Sequence, residues 1–129
     1  MKTLYPYVVY PGTCKAALEF YHTCLGGTIE LMQRYEDSPL EAPKEHKDRI
    51  FNARFCVDDT VIMASDDFPP DSVVRPGTNM SLFLVLDTPT EQRDAFEKLA
   101  EGGTITMPLT DSFGMLSDKF GIQWMVVCE

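Results

Sequence analysis

The chain has 129 residues, of which 44% are hydrophobic and 24% charged, and its formal net charge is −9. That balance is typical of a globular domain, and the length suits one compact domain with its own core and no need of disulfide or metal staples. The acidity and the lack of any basic run argue against a nucleic-acid or anionic-membrane surface, and no apolar run approaches the ~20 residues that span a bilayer.

The opening stretch Met1-Lys2-Thr3-Leu4-Tyr5-Pro6 carries no apolar signal segment, so a cytoplasmic setting is expected. A strand is expected near 3–10. Beyond it, Cys14, Ala17, Leu18, Tyr21, Cys24 and Leu25 recur at the spacing of one helical face, which predicts an amphipathic helix over 13–25. Gly26 supplies its left-handed stop. Strands follow near 28–35, 48–57 and 60–66, the last two joined by a turn at Asp58-Asp59 and the first two by a polar connector over 36–48.

After a strand near 78–87, Thr88-Pro89-Thr90-Glu91 reads as a capping box with proline at the first helical position. Ala95, Phe96, Leu99 and Ala100 form the apolar stripe of that helix, and Gly102-Gly103 ends it. Strands are expected near 104–108, 113–118 and 122–128, with a turn at Gly121.

The two halves match. GGTIE at 26–30 and GGTIT at 102–106 are offset by 76, and at the same offset Phe20 falls on Phe96. The later strands repeat at an offset of 62, which sets Phe51 on Phe113 and Met63 on Met125. The connector accounts for the difference, as loops between matched elements do. The expectation is an α+β chain forming a single domain over 1–129, built from two β-α-β-β-β modules at about 1–67 and 78–129.

Cys14, Cys24, Cys56 and Cys128 contain no CxxC pair. Cys14 and Cys24 would lie ~15 Å apart along one helix, too far to bridge. Reduced thiols are expected, and no histidine is placed to activate one. His22 falls on the exposed side of the first helix and His46 in the connector, where both read as surface residues. The acids Glu36, Asp37, Glu41 and Glu45 of the connector suit either a lid or dimer contact or a plain solvated loop.

Three stretches, PYVVYPGTCKAALEFYHTCLGG, MASDDFP and DSFGMLSDKFGIQWMVVCE, resemble the PhnB-like branch of the vicinal oxygen chelate superfamily. That superfamily includes glyoxalase I, bleomycin-resistance proteins and extradiol dioxygenases, and many members of this branch are labelled 3-demethylubiquinone-9 3-methyltransferase-like. The resemblance covers nearly the whole chain and is most specific over 113–129. It implies a glyoxalase/bleomycin resistance fold, in which the mixed sheet of two modules curls around a cavity, commonly completed as a homodimer.

Metal-dependent relatives place four His or Glu ligands on the first and last strands of each module. The matching positions here are Tyr5 or Pro6, Met63, Ser81 and Met125, none of them a hard donor. No metal and no other cofactor is therefore expected. A methyl donor is generally cradled by a glycine turn between a strand and a helix, whereas both glycine pairs here follow helices and precede strands.

Alternation along the strands assigns a cavity lining of Tyr5, Tyr7, Asn52, Arg54, Met63, Ser65, Ser81, Phe83, Leu116, Gln123 and Met125. Arg54 is the sole cation among them and suits a carboxylate or phosphonate, or else an ion pair with Glu30 or Asp118. Tyr5 and Tyr7 suit either packing or acid–base work. The expected partner is a small-molecule ligand, anionic if Arg54 anchors it, bound by a homodimer that contacts neither nucleic acid nor membrane. The alternative is a metal-dependent glyoxalase- or dioxygenase-like enzyme whose ligands come from elsewhere, such as Glu36 or His46.

Overall fold

The computed structural model describes residues 1–39, 44–67 and 74–129. Two compact units emerge, Met1–Val74 and Arg75–Glu129. The first holds β1 (Tyr7–Tyr10), α1 (Cys14–Leu25), β2 (Thr28–Arg34), β3 (Ile50–Val57) and β4 (Thr60–Asp66). The second holds β5 (Leu82–Leu86), α2 (Pro89–Ala100), β6 (Thr104–Met107), β7 (Phe113–Ser117) and β8 (Gln123–Cys128). Each unit is thus β-α-β-β-β.

The sheets share one topology. Their strand orders are β1-β4-β3-β2 and β5-β8-β7-β6, with a parallel pair at β1/β4 and at β5/β8 and antiparallel pairs elsewhere. The parallel pair in each follows from the crossover through its helix. Even the irregularities repeat: Glu30 is skipped between Ile29↔Phe55 and Leu31↔Arg54, and Thr106 between Ile105↔Leu116 and Met107↔Met115. These are β-bulges at the same place in each copy of the Gly-Gly-Thr-Ile sequence.

The glycine pairs are joints. Gly26 (φ 75°) and Gly102 (φ 74°) turn the chain out of each helix in the left-handed region. Their neighbours serve close approach: a Cβ on Gly27 would meet the Cys56 carbonyl, and one on Gly103 the Ser117 carbonyl. The helix–strand joint therefore seats against the neighbouring strand, β3 in unit 1 and β7 in unit 2.

In unit 1 the core lies between α1 and one sheet face, where Cys14, Ala17, Leu18 and Tyr21 of the helix and Ala53, Phe55 and Ala64 of the strands are fully buried. In unit 2, Ala95, Phe96 and Leu99 of α2 are buried, as are Leu116, Trp124 and Val126 of the sheet. The helix starts differ. Thr88 Oγ1 accepts from the Glu91 amide at 3.1 Å, the local cap the sequence predicts. Thr13 makes no side-chain cap; instead the buried Asp66 at the end of β4 accepts from the Cys14 amide at 2.8 Å and from the Ile50 amide at 2.8 Å. In unit 2, Asp118 accepts from the Phe120 and Ile122 amides (2.8 and 3.1 Å) and from the Trp124 indole (2.9 Å).

The polar connector is not wholly irregular. It contains short 3₁₀ turns at Tyr35–Asp37 and Lys44–His46, and Tyr35 is buried edge-on against Phe51 with ring centroids 5.3 Å apart. Arg34 pairs with Glu36 at 3.3 Å, and Arg49 with Asp67. Glu41 lies outside the described residues.

Candidate functional site

Each sheet has one face against its helix and one open face, and register decides which side chains occupy the open one. In unit 1, Tyr7 pairs with Met63, Met63 with Arg54, and Arg54 with Leu31, so these four form a row across all four strands. Partners in register share a face. One step further along lie Val9, Ser65, Asn52 and Gln33. Tyr5 joins them from ahead of β1, with its ring 5.9 Å below the Arg54 guanidinium. The expected unit 1 residues, Tyr5, Tyr7, Asn52, Arg54, Met63 and Ser65, thus share one face. Ser65 is buried there, while Tyr7 remains 53% exposed.

Among the described residues Arg54 forms no ion pair. Glu30, the bulge residue, serves Cys56 instead: burial and then the Glu30 carboxylate push the Cys56 thiol up. Asp118 spends its oxygens on Trp124 and two amides, as described above. Among the described residues Arg54 is held through its cation–π contact with Tyr5, on a half-buried surface of aromatic, aliphatic and thioether groups. A guanidinium so placed keeps donors to offer a carboxylate or phosphonate.

The matching row of unit 2 is Phe83, Met125, Met115 and Met107. Ser81 precedes β5, and Gln123 donates through Nε2 to the Met80 carbonyl at 2.6 Å. Leu116 is not on this face. It pairs with Trp124 and Ile105 on the helix side and is 1% exposed. The offset of 62 aligns Leu116 with Arg54, but Met63 is flanked by Arg54 and Met125 by Met115, so β3 and β7 are related by 61. Between matched positions the turn holds two residues in unit 1 (58–59, between Val57 and Thr60) and three in unit 2 (119–121, between Asp118 and Ile122), and this shifts the register by one. A one-residue slip moves every side chain to the other face. Met115 holds the position matching Arg54.

Sequence reasoning also passed over Leu31 and Met107, because each bulge reverses the alternation from the preceding isoleucine. The signal was present: Leu31 and Met107 are related by the same 76 as the glycine pairs.

The positions matching the superfamily's metal ligands bear a phenol or proline, two thioethers and a hydroxyl. Pro6 offers only its carbonyl, and that accepts from the Met63 amide at 3.0 Å. Such donors do not fit a hard divalent ion. Among the described residues no group of three or more His, Cys, Asp or Glu side chains is placed to hold a metal. The glycine pairs sit at helix C-termini, packed against strand carbonyls, and do not fit a methyl donor's carboxylate or ribose.

Cys14 and His22 are engaged elsewhere in unit 1. The Cys14 thiol is pushed up to about 12 by burial and then by the Asp66 carboxylate, so it carries no thiolate near neutral pH. Nδ1 of His22 lies 3.0 Å from the Gly27 carbonyl and donates to it, closing the end of α1. His46 sits in its 3₁₀ turn. No helix among the described residues is long and apolar enough to cross a membrane.

Residues 2–127 match the family described as 3-demethylubiquinone-9 3-methyltransferase. The chain is 29% identical over 140 residues to protein YjdN of Escherichia coli, covering 95% of this chain and 92% of that protein. The crystal structure of protein PA1353 from Pseudomonas aeruginosa is similar with a TM-score of 0.90 at 40% identity, over 100% of this chain and 98% of that one. A PhnB protein from Bacillus cereus gives 0.81 at 25% identity, over 99% and 100%. The fosfomycin resistance protein FosX from Listeria monocytogenes shares the fold alone, with a TM-score of 0.68 at 9% identity over 99% of this chain and 91% of that one.

Proposed function

The chain belongs to the 3-demethylubiquinone-9 3-methyltransferase family, in the PhnB-like branch of the vicinal oxygen chelate superfamily, and we propose that it binds a small anionic molecule bearing an apolar body. The observation that carries this reading is the unit 1 row: Arg54, with no ion-pair partner among the described residues, stands between Met63 and Leu31 over the ring of Tyr5. Apolar walls with a few polar handles are what small-molecule sites require. Asn52 adds a neutral hydrogen-bonding group beside the cation. The ligand's carboxylate or phosphonate meets Arg54, and its body lies along Tyr7, Met63 and Leu31.

The site is completed by a second copy of the chain. Both open faces leave large apolar side chains in water, Tyr7, Val9 and Leu31 in unit 1 and Phe83, Val85 and Met107 in unit 2. Contiguous apolar surface of this kind marks an interface. Sedimentation at micromolar concentration should give a dimer.

The test of the ligand class compares 4-phenylbutyrate and phenylphosphonate with the uncharged 4-phenylbutyramide by calorimetry. The anions should bind more tightly than the amide, and Arg54→Ala should cost them ~1.5–3 kcal/mol, the range for a hydrogen bond to a charged group. Equal binding of the anions by wild type and Arg54→Ala would remove the anchor. A stoichiometric divalent ion in protein purified without chelator or tag would favour metal-dependent chemistry instead.

A further inference from the structure

Unit 2 contains a groove of about 740 Å³ that is separate from its open sheet face. It runs between α2 and the edge strand β6, on the helix side of the sheet. Its floor is apolar: Phe96 and Ala100 of α2, Ile105 of β6, and Leu109 beyond it. Gly114 on β7 makes room for that floor. A Cβ there would stand 2.8 Å from the Phe96 ring and 3.0 Å from Leu109 Cδ1, so any side chain would push both out of place.

The rim is charged and unbalanced. Glu97, Glu101 and Asp111 face a single cation, Arg93. Among the described residues none of these four groups forms an ion pair. Three carboxylates against one guanidinium around an apolar trough, on a chain of net charge −9, draw cations and repel anions. The volume is that of sites for drug-sized molecules.

We propose that this groove is a second binding site, for a small organic cation with an apolar body: a protonated amine on an alkyl or aromatic skeleton. The body lies over Phe96, Ala100 and Leu109, and the ammonium reaches the carboxylate rim. Its charge preference is opposite to that of the Arg54 face, and it stands independently of the role given to Arg54.

Octylammonium, octanoate and 1-octanol, all below their aggregation concentrations, form the test, read by amide NMR shifts and calorimetry at pH 7. Octylammonium should bind saturably, with shifts centred on residues 92–111, and about fivefold to tenfold more tightly than octanoate in low salt, the preference shrinking at 0.5 M salt. Glu97→Gln with Asp111→Asn, both at exposed positions, should abolish the preference for the cation. Ile105→Lys should abolish octylammonium binding, and Arg54→Ala should leave it unchanged. The Trp124 indole, buried on Asp118, reports through its fluorescence that each variant is folded. Octanoate binding as tightly as octylammonium, shifts centred outside the groove, or full binding by folded Ile105→Lys would each overturn the site.

Discussion

The two open faces have the same frame and different contents. Tyr7-Met63-Arg54-Leu31 and Phe83-Met125-Met115-Met107 occupy matching strands in matching register, down to a bulge before Leu31 and before Met107. One row carries a phenol and a guanidinium; the other is an aromatic ring and three thioethers. Duplication preserved the backbone, with its glycine joints and bulges, while the side chains of the rows diverged. Met63 and Met125 alone are shared, at positions where metal-dependent relatives carry hard ligands. Of the two rows, only that of unit 1 carries polar groups. Unit 2 offers an adaptable thioether surface, since methionine fits irregular shapes without directional demands.

The largest expected effect separates the two helix starts. Asp66→Ala leaves the buried Cys14 and Ile50 amides without their acceptor and should destabilise the protein by about 3 kcal/mol, whereas Thr88→Ala removes one local cap and should cost about 1 kcal/mol. Urea denaturation of both variants measures this. Equal losses would mean that Asp66 does not hold α1 to β3 as its hydrogen bonds indicate.

The register of unit 2 is tested next. Leu116→Ala cuts a side chain buried under α2 and should cost about 3 kcal/mol, while Met115→Ala on the half-open face should cost under about 1.5 kcal/mol in the monomeric unit. The reverse order would restore Leu116 to the open face.

The smallest effect is a pH dependence confined to unit 1. The folded state holds the Cys14 proton up to about 12, against 9.0 for the ordinary thiol. Between pH 9 and 12 the unfolded chain therefore binds fewer protons than the folded one, and stability falls as pH rises, by at most about 1.4 kcal/mol per unit. Below pH 9 the group contributes no slope. Denaturation at pH 8 and pH 10 should show a smaller fall for Cys14→Ala than for wild type.

Much of this frame is legible in the sequence because its signals are local. Helical spacing, the Thr88-Pro89 cap and the two glycine pairs each lie within a dozen residues, and together they define both units. What escaped depends on distance or on length. Asp66 caps a helix 52 residues earlier, which no local pattern encodes. Leu116 was set on the wrong face because the turn before β8 is longer than its counterpart before β4. Leu31 and Met107 were hidden by bulges, which alternation cannot anticipate. In unit 1, where the two-residue turn at Asp58-Asp59 pins the register, simple alternation suffices to set Asn52, Arg54, Met63 and Ser65 on one sheet face.

Methionine-methyl NMR of the protein titrated with 4-phenylbutyrate tests the central claim most directly. The Met63 methyl, beside Arg54 in the unit 1 row, should shift saturably in wild type and stay still in Arg54→Ala at the same concentrations. A Met63 methyl that does not move, or that moves equally in both proteins, would contradict the assignment of the Arg54 face as the anion-binding site.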